Sequence, residues 1–536
     1  MVKKIISIVI CIIVILAGVS IEKEKINSAN DEIINCITYN MNTNPENLQL
    51  TQTDSIRDKD LLVTLFEGLV KENDDGEIVP ALSKEVKISD DGLEYIFKLR
   101  DDIYYSSGEK ITAQDFKSFF EAFLNDKDNI YASWLDCIYG AKEFREGHDD
   151  FSNVAINLKE DDELSIRLNY KDPNFINILA NPVFNLRDYG RLDRYKENFN
   201  SIRYTGPFII KEAKNEEIYI EKNKKYYSSG EVTNENIRIT FLNSEENALA
   251  IFEKSADADI DGFVGNIDIM MDAPVSELLR LSQNSMIKRF DGLSMYYLGF
   301  NPDKDTLGGD LNFRNAINSL LSKEYYSQLI CKELLTPATS YSLEKENSQQ
   351  VFSSFGDIEL AKELFNKVNV KEKSKIKIIY EKNNLNRRII EDLSSNIKEN
   401  LNLELVLEEC SNEELKKAID NGDYDIVLQR FNFKYGDPIE YYKSLNNESE
   451  NRLIANNNEE YGKLIKEASY EMDEGKRKSI YEQCEKILRS QLVSIPIYNI
   501  NNAICVKTDI DNVYVTTSGN IRLDKVKYKI KDKEVP

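Results

Sequence analysis

The side chains that could do chemistry are few and badly grouped. Asp257, Asp259 and Asp261, followed by Gly262 and by Asp268 at the twelfth position, have the opening spacing of a calcium loop. Such a loop needs oxygen side chains throughout, and Phe263 to Ile267 supplies only Asn266. The acids are therefore expected to be structural. His148 is the one histidine, which disfavours nickel or haem ligation and any imidazole-based nucleophilic mechanism. There is no HExxH, GxSxG or P-loop pattern, and no CxxC. With 93 Asp and Glu residues, chance acid pairs are inevitable, so they carry no specific hydrolase signal. The expectation is a binding protein, not an enzyme, with no metal and no cofactor.

A net charge of −24 makes the chain a poor partner for nucleic acid, whose phosphates need basic patches. Cys36, Cys137, Cys331, Cys410, Cys484 and Cys505 are scattered singly, and either disulfides or buried free thiols fit that spacing. The 29 tyrosines against a single tryptophan, Trp134, suggest polar-edged aromatic surfaces in or near a cleft.

A chain of 536 residues exceeds what one hydrophobic core serves, so two or more lobes are expected. Residues 1–21 read as an export segment: Lys3 and Lys4, then an apolar run from Ile5 to Val19. Leu16-Ala17-Gly18 is followed by Val19, not by the cysteine that lipid anchoring requires, which leaves a cleaved signal or a retained anchor. Either places the remainder outside the cytoplasm, at the outer face of the membrane or in the cell envelope.

The rest reads as continuous α/β structure without internal repeats. Glu32 to Asn40 and Leu93 to Leu99 alternate like strands, the second after a turn at Asp90-Asp91-Gly92. Thr112 caps a helix that carries Phe116, Phe119, Phe120 and Phe123 on one stripe. Further on, strands at Lys375–Tyr380, Leu403–Leu407 and Tyr424–Leu428 alternate with helices at Asn386–Glu399 and Asn412–Asn421. That β-α-β-α-β run predicts parallel strands with right-handed crossovers. Ligands of such sheets bind beyond the carboxyl ends of the strands, which points to the loop from Gln429 to Pro438.

Several segments, in order, resemble the family 5 extracellular solute-binding proteins, the oligopeptide, dipeptide and nickel binders of ABC importers. They are Leu65-Phe66-Glu67-Gly68-Leu69, Ser89 to Asp101, Ser107-Gly108-Glu109 with Thr112 to Phe116, and Tyr204-Thr205-Gly206-Pro207-Phe208. Glu221-Lys222-Asn223 before Tyr226-Tyr227, Phe313 to Ile317, Tyr424 to Val427 and Tyr435-Gly436-Asp437-Pro438 continue the series. The resemblance implies an α/β, two-lobed periplasmic-binding-protein-like (type II) fold, hinged around a central cleft, with an additional third domain. Lobe I would comprise 31–75, 203–298 and 503–536, the extra domain 76–202, and lobe II 299–502. It implies a monomer that captures a peptide or peptide-like ligand for an ABC permease. A sensor of the same fold, binding a non-peptide or N-terminally blocked ligand without import, is the alternative.

By the same resemblance Asp54, Ser55 and Ile56 would line one side of the ligand, Arg430, Phe431 and Asn432 the other, and Tyr131 would pack against it. The departure is Lys434, which stands where peptide binders carry the aspartate that pairs with the ligand's ammonium. Two like charges about 4 Å apart repel by roughly 4 kcal/mol at an effective dielectric near 20. The ligand could then have a blocked or anionic end; its ammonium could be held by Asp437 or Asp54; or Lys434 could turn away and pair with Asp437.

Overall fold

The computed structural model describes residues 36–529, apart from 255–258, 261–262, 302–305, 332–333, 344–351, 369–374 and 447–457. The export segment thus lies outside the described residues, as do Asp257, Asp261 and Gly262 of the calcium-like spacing. Asp268 is described, and its carboxylate is already engaged. It accepts the Thr38 amide at 2.8 Å and the Tyr528 hydroxyl at 3.2 Å, and pairs with Lys507 at 3.6 Å.

One eleven-stranded sheet runs through the molecule. At one end Lys375–Glu381 lies between Glu404–Cys410 and Ile426–Asn432, parallel to both, as the β-α-β-α-β pattern requires. The helices Asn384–Leu401 and Asn412–Asn421 make the crossovers, the second opened by a Ser411/Glu414 capping box. At the other end Ile37–Asn40 lies between Asn236–Thr240 and Ile269–Met270, parallel to both. All four residues of Ile37–Asn40 are buried. The described part of the strand expected over Glu32 to Asn40 is thus an interior strand, buried on both faces.

Two long strands, Ile287–Phe300 and Ser494–Val506, join these ends and pair antiparallel along most of their length. Their outer halves belong to different cores. Ile504 and Val506 pack with Tyr39, Leu61 and the aromatic stripe of Ala113–Asn125, whereas Tyr297, Leu298 and Ile495 pack with Ile378, Leu428 and Tyr441. Two lobes thus share one hydrogen-bonded sheet.

The pairing slips between Asp291 and Ser294, a bulge that falls between the lobes. Gly292 occupies it because a Cβ there would sit 2.3 Å from the Ile500 carbonyl oxygen. Gly292→Ala is therefore expected to wedge the two strands apart and cost about 1–3 kcal/mol, a strain of overpacking. Chemical denaturation of the variant measures it, and an unchanged midpoint would show that the bulge has room.

The third domain builds on Ser83–Ile88, Glu94–Leu99, Glu163–Arg167 and Ile156–Glu160, an antiparallel sheet in that order. Glu94–Leu99 alternates half-buried and buried residues, as its sequence pattern predicts. The helix Ala113–Asn125, begun by a Thr112/Asp115 capping box, lays all four phenylalanines into the core. Many of the tyrosines are core residues. Tyr39, Tyr95, Tyr297, Tyr341, Tyr441 and Tyr442 are fully buried, and several donate a core hydrogen bond, such as Tyr341 to the Ser494 carbonyl at 2.8 Å.

Candidate functional site

Lobe I contributes the turn before the helix Ile56–Leu65. Ser55 caps that helix by accepting the Asp58 amide at 3.3 Å. Asp54 before it is exposed, and Ile56 opens the helix with its side chain 36% exposed. The third domain meets this turn through Tyr131, whose hydroxyl donates to the Thr53 carbonyl at 2.8 Å. Lys59 lies over the Tyr131 ring at 4.7 Å. Burial lowers the Lys59 ammonium to about 8, opposed by Asp54 and Asp58.

Lobe II contributes the end of Ile426–Asn432. This strand runs four residues past its sequence-predicted end because it has a second partner: Ser294 to Phe300 of the long strand pairs with Asn432 back to Ile426. Arg430, Phe431 and Asn432 are thus ladder residues, not loop residues. Ser294 donates to Asn432 Oδ1 at 2.8 Å and accepts from Arg430 at 3.0 Å. Phe431 points the other way and packs edge-on against Phe433 and Tyr441. The bulge meets this loop through the Phe433 amide, which donates to the Leu293 carbonyl at 2.8 Å.

Lys434 follows. Its amide and that of Tyr435 donate to the Glu440 carboxylate at 3.0 and 3.2 Å, which pins the loop from inside lobe II. Its ammonium crosses to the third domain and lies 5.0 Å from the Trp134 ring, itself in edge contact with Tyr131. A second bridge between these bodies is the edge contact of Tyr170 with Tyr470 at 5.6 Å. Between them opens a cleft of about 430 Å³, walled by Glu72 and Ser518 of lobe I, Asn181 of the third domain, Asp291 and Leu293 at the bulge, and Lys434.

The acids near Lys434 are held elsewhere. Asp437 caps the helix Pro438–Ser444 through the Ile439 amide at 2.8 Å, accepts the Tyr481 hydroxyl at 2.6 Å and faces Arg477 at 3.8 Å. The Lys434–Asp437 pair entertained from the sequence is therefore absent: capping turns that carboxylate into lobe II. Asp172 of the third domain accepts the Asn174 amide at 2.9 Å, and burial raises its pKa, opposed by that bond and by Lys443 and Arg477. Burial likewise lowers Lys443. Glu440 is raised to about 7 by burial, although the two amides and Lys434 oppose the shift.

Among the nine residues singled out from the sequence, Lys434 alone lines this cleft. Asp54, Ser55 and Ile56 form one turn that Tyr131 meets at Thr53, and Arg430, Phe431 and Asn432 end one strand, but none of these seven is in the cleft wall. Glu72, Asn181, Asp291 and Ser518 were not anticipated. Gly292 within an otherwise strand-like run was the one available signal for the bulge. Among the described residues no group of His, Cys, Asp and Glu could hold a metal ion. The thiols of Cys36, Cys137, Cys410, Cys484 and Cys505 are buried and form no disulfide. The arrangement can grip a polar ligand between two hinged bodies.

Residues 77–452 match the profile of the bacterial extracellular solute-binding proteins, family 5 (middle). The chain belongs to that family. It is 23% identical to the periplasmic murein peptide-binding protein MppA of Escherichia coli, over 91% of this chain and 92% of that one. It is also 23% identical to the oligopeptide-binding protein OppA of Bacillus subtilis, over 92% of each chain. A third relative, 23% identical over 86% of this chain and 87% of its own, is the probable deoxycholate-binding periplasmic protein YgiS of Escherichia coli. Among solved structures, the fold is similar to MppA in an unliganded open form, with a TM-score of 0.80 at 21% identity over 92% of this chain and 97% of that one. It is also similar to Haemophilus influenzae OppA in complex with a peptide, with a TM-score of 0.65 at 19% identity over 92% and 99%. The family 5 membership and the type II fold with a third domain expected from the motifs therefore stand. Membership makes the protein a solute binder and not an enzyme.

Proposed function

We propose that this family 5 protein captures peptides or peptide-like solutes in the cleft between its lobes and delivers them, as a monomer outside the cytoplasm, to the permease of an ABC importer. The observation that carries this reading is the cleft itself, set beside a bulge in the two long strands that run from one lobe's core to the other's. A ligand that touches both walls favours the closed arrangement by the contacts it makes only there. Extended peptides suit such a cleft because their backbone groups supply affinity whatever their side chains. Asp54, Ser55, Ile56 and Tyr131 on one side, and Arg430, Phe431, Asn432 and Lys434 on the other, are the proposed contacts. Asp437 is proposed to hold the Lys434 loop through its helix cap and not to touch the ligand.

Native mass spectrometry of freshly purified protein tests this reading. A family of released masses that correspond to peptides is the expected result. One discrete non-peptide guest would favour the second reading, a binder of another solute; a relative named for deoxycholate and the cation at Lys434 make that alternative specific.

A further inference from the structure

We infer that the cleft recognises an anionic group on its ligand, a carboxylate in the simplest case, through the Lys434 ammonium. This rests on the cleft being the ligand site and concerns which end of the ligand it reads.

The argument begins with the backbone. Glu440 takes the amides of Lys434 and Tyr435, so the cleft wall holds residue 434 at a fixed place while its side chain stays exposed. The ammonium makes no ion pair among the described residues; its neighbour is the face of Trp134. A cation over an indole face is stabilised modestly, by about 0.5–1 kcal/mol where exposed, and keeps donors for a stronger partner.

Three of the carboxylates near the cleft are already engaged. Asp437 faces Tyr481, Arg477 and the Ile439 amide. Asp172 faces the Asn174 amide, Lys443 and Arg477. Across the cleft, Glu72 accepts the Thr517 amide and hydroxyl at 2.8 and 2.7 Å and the Tyr514 hydroxyl at 2.7 Å. At the lobe II wall the Lys434 ammonium thus has no ion pair among the described residues, and Asp437 is turned inward. An incoming ammonium would meet repulsion there, and an incoming carboxylate a charge-assisted hydrogen bond.

Equilibrium dialysis of the whole protein tests this against tripeptide pools free of Asp and Glu, presented unmodified, N-acetylated or C-amidated, and against deoxycholate. N-acetylation is expected to leave binding unchanged. C-amidation is expected to weaken it about tenfold or more, the scale of one hydrogen bond to a charged group. In Lys434→Met, whose side chain is exposed and unpaired, the amidation penalty should vanish. If no pool binds but deoxycholate does, and its binding falls in Lys434→Met, the peptide reading fails while the anion-recognition inference stands. The inference is overturned if amidation costs nothing, if acetylation abolishes binding, if the penalty survives in Lys434→Met, or if no probe binds in a Lys434-dependent way.

Discussion

Asp60→Ala is expected to destabilise the protein by about 3–5 kcal/mol, because it strips four buried donors of one shared acceptor. The Asp60 side chain is 1% exposed. It accepts the Tyr39 hydroxyl at 2.6 Å, Arg57 at 3.2 Å, Asn520 Nδ2 at 3.0 Å and the Ile521 amide at 3.1 Å. These donors come from a central strand, from the helix behind the Ser55 turn, and from the C-terminal segment that carries Ser518 into the cleft. Arg57 also donates to the Gly519 carbonyl, so losing Asp60 leaves a buried guanidinium without its counter-charge. Asp60→Asn should cost less, because it keeps one acceptor oxygen. The paired replacement Arg57→Met with Asp60→Leu should recover part of the loss, because it removes the stranded charge. The lone Trp134 packs against the same core as Tyr39 and Leu61, so its fluorescence through a urea titration reports this unfolding. A midpoint unmoved by Asp60→Ala would show that the network adds nothing.

The second large effect is a pH dependence located at Glu440. Its pKa is raised from 4.5 to about 7, chiefly by burial. A carboxyl that holds its proton more tightly when folded makes the folded state gain stability as pH falls from about 7 to about 4.5. The gain is complete below 4.5, and the full cost of burying the charge is carried above 7. The shift corresponds to at most about 3 kcal/mol. Glu440→Gln retains an acceptor for the Lys434 and Tyr435 amides without the charge, so its stability should lack this component. Urea midpoints of the two proteins, compared at pH 8 and pH 5, should therefore move in favour of the natural protein at the lower pH. Parallel behaviour across that range would mean that Glu440 titrates as an ordinary surface acid.

The parts legible in the sequence were those set by local patterns. The phenylalanine stripe after Thr112, the alternation of Glu94–Leu99 and the β-α-β-α-β run each follow from periodicity and capping. The family motifs supplied the lobed architecture. Elements whose character depends on distant partners were read less well. Ile37–Asn40 was recognised as a strand, but nothing local announces its two flanking strands. Ile426–Asn432 looked shorter because Ser294, far away in sequence, extends it. At the cleft, Lys434 was found because it breaks a motif, whereas Asn181, Asp291 and Ser518 carry no local signature. They converge only through the tertiary fold. Asp437 shows the opposite failure: its place in a motif suggested a partner, and a helix cap claimed it instead.

The order of strands in the shared sheet also governs how the chain can reach it. Ser494–Val506 is the last long strand to be synthesised, yet it sits in the interior of the sheet, between Ile287–Phe300 and Ile269–Met270. Until it arrives, both of those strands present open edges. Assembly is therefore completed by inserting the final strand between two waiting halves, a non-local step of the kind that slows folding and exposes chains to aggregation. A chain truncated before Ser494 would keep those inner edges unpaired and would be expected to collect as insoluble oligomers, so the C-terminal segment acts as the closing stave of the whole protein.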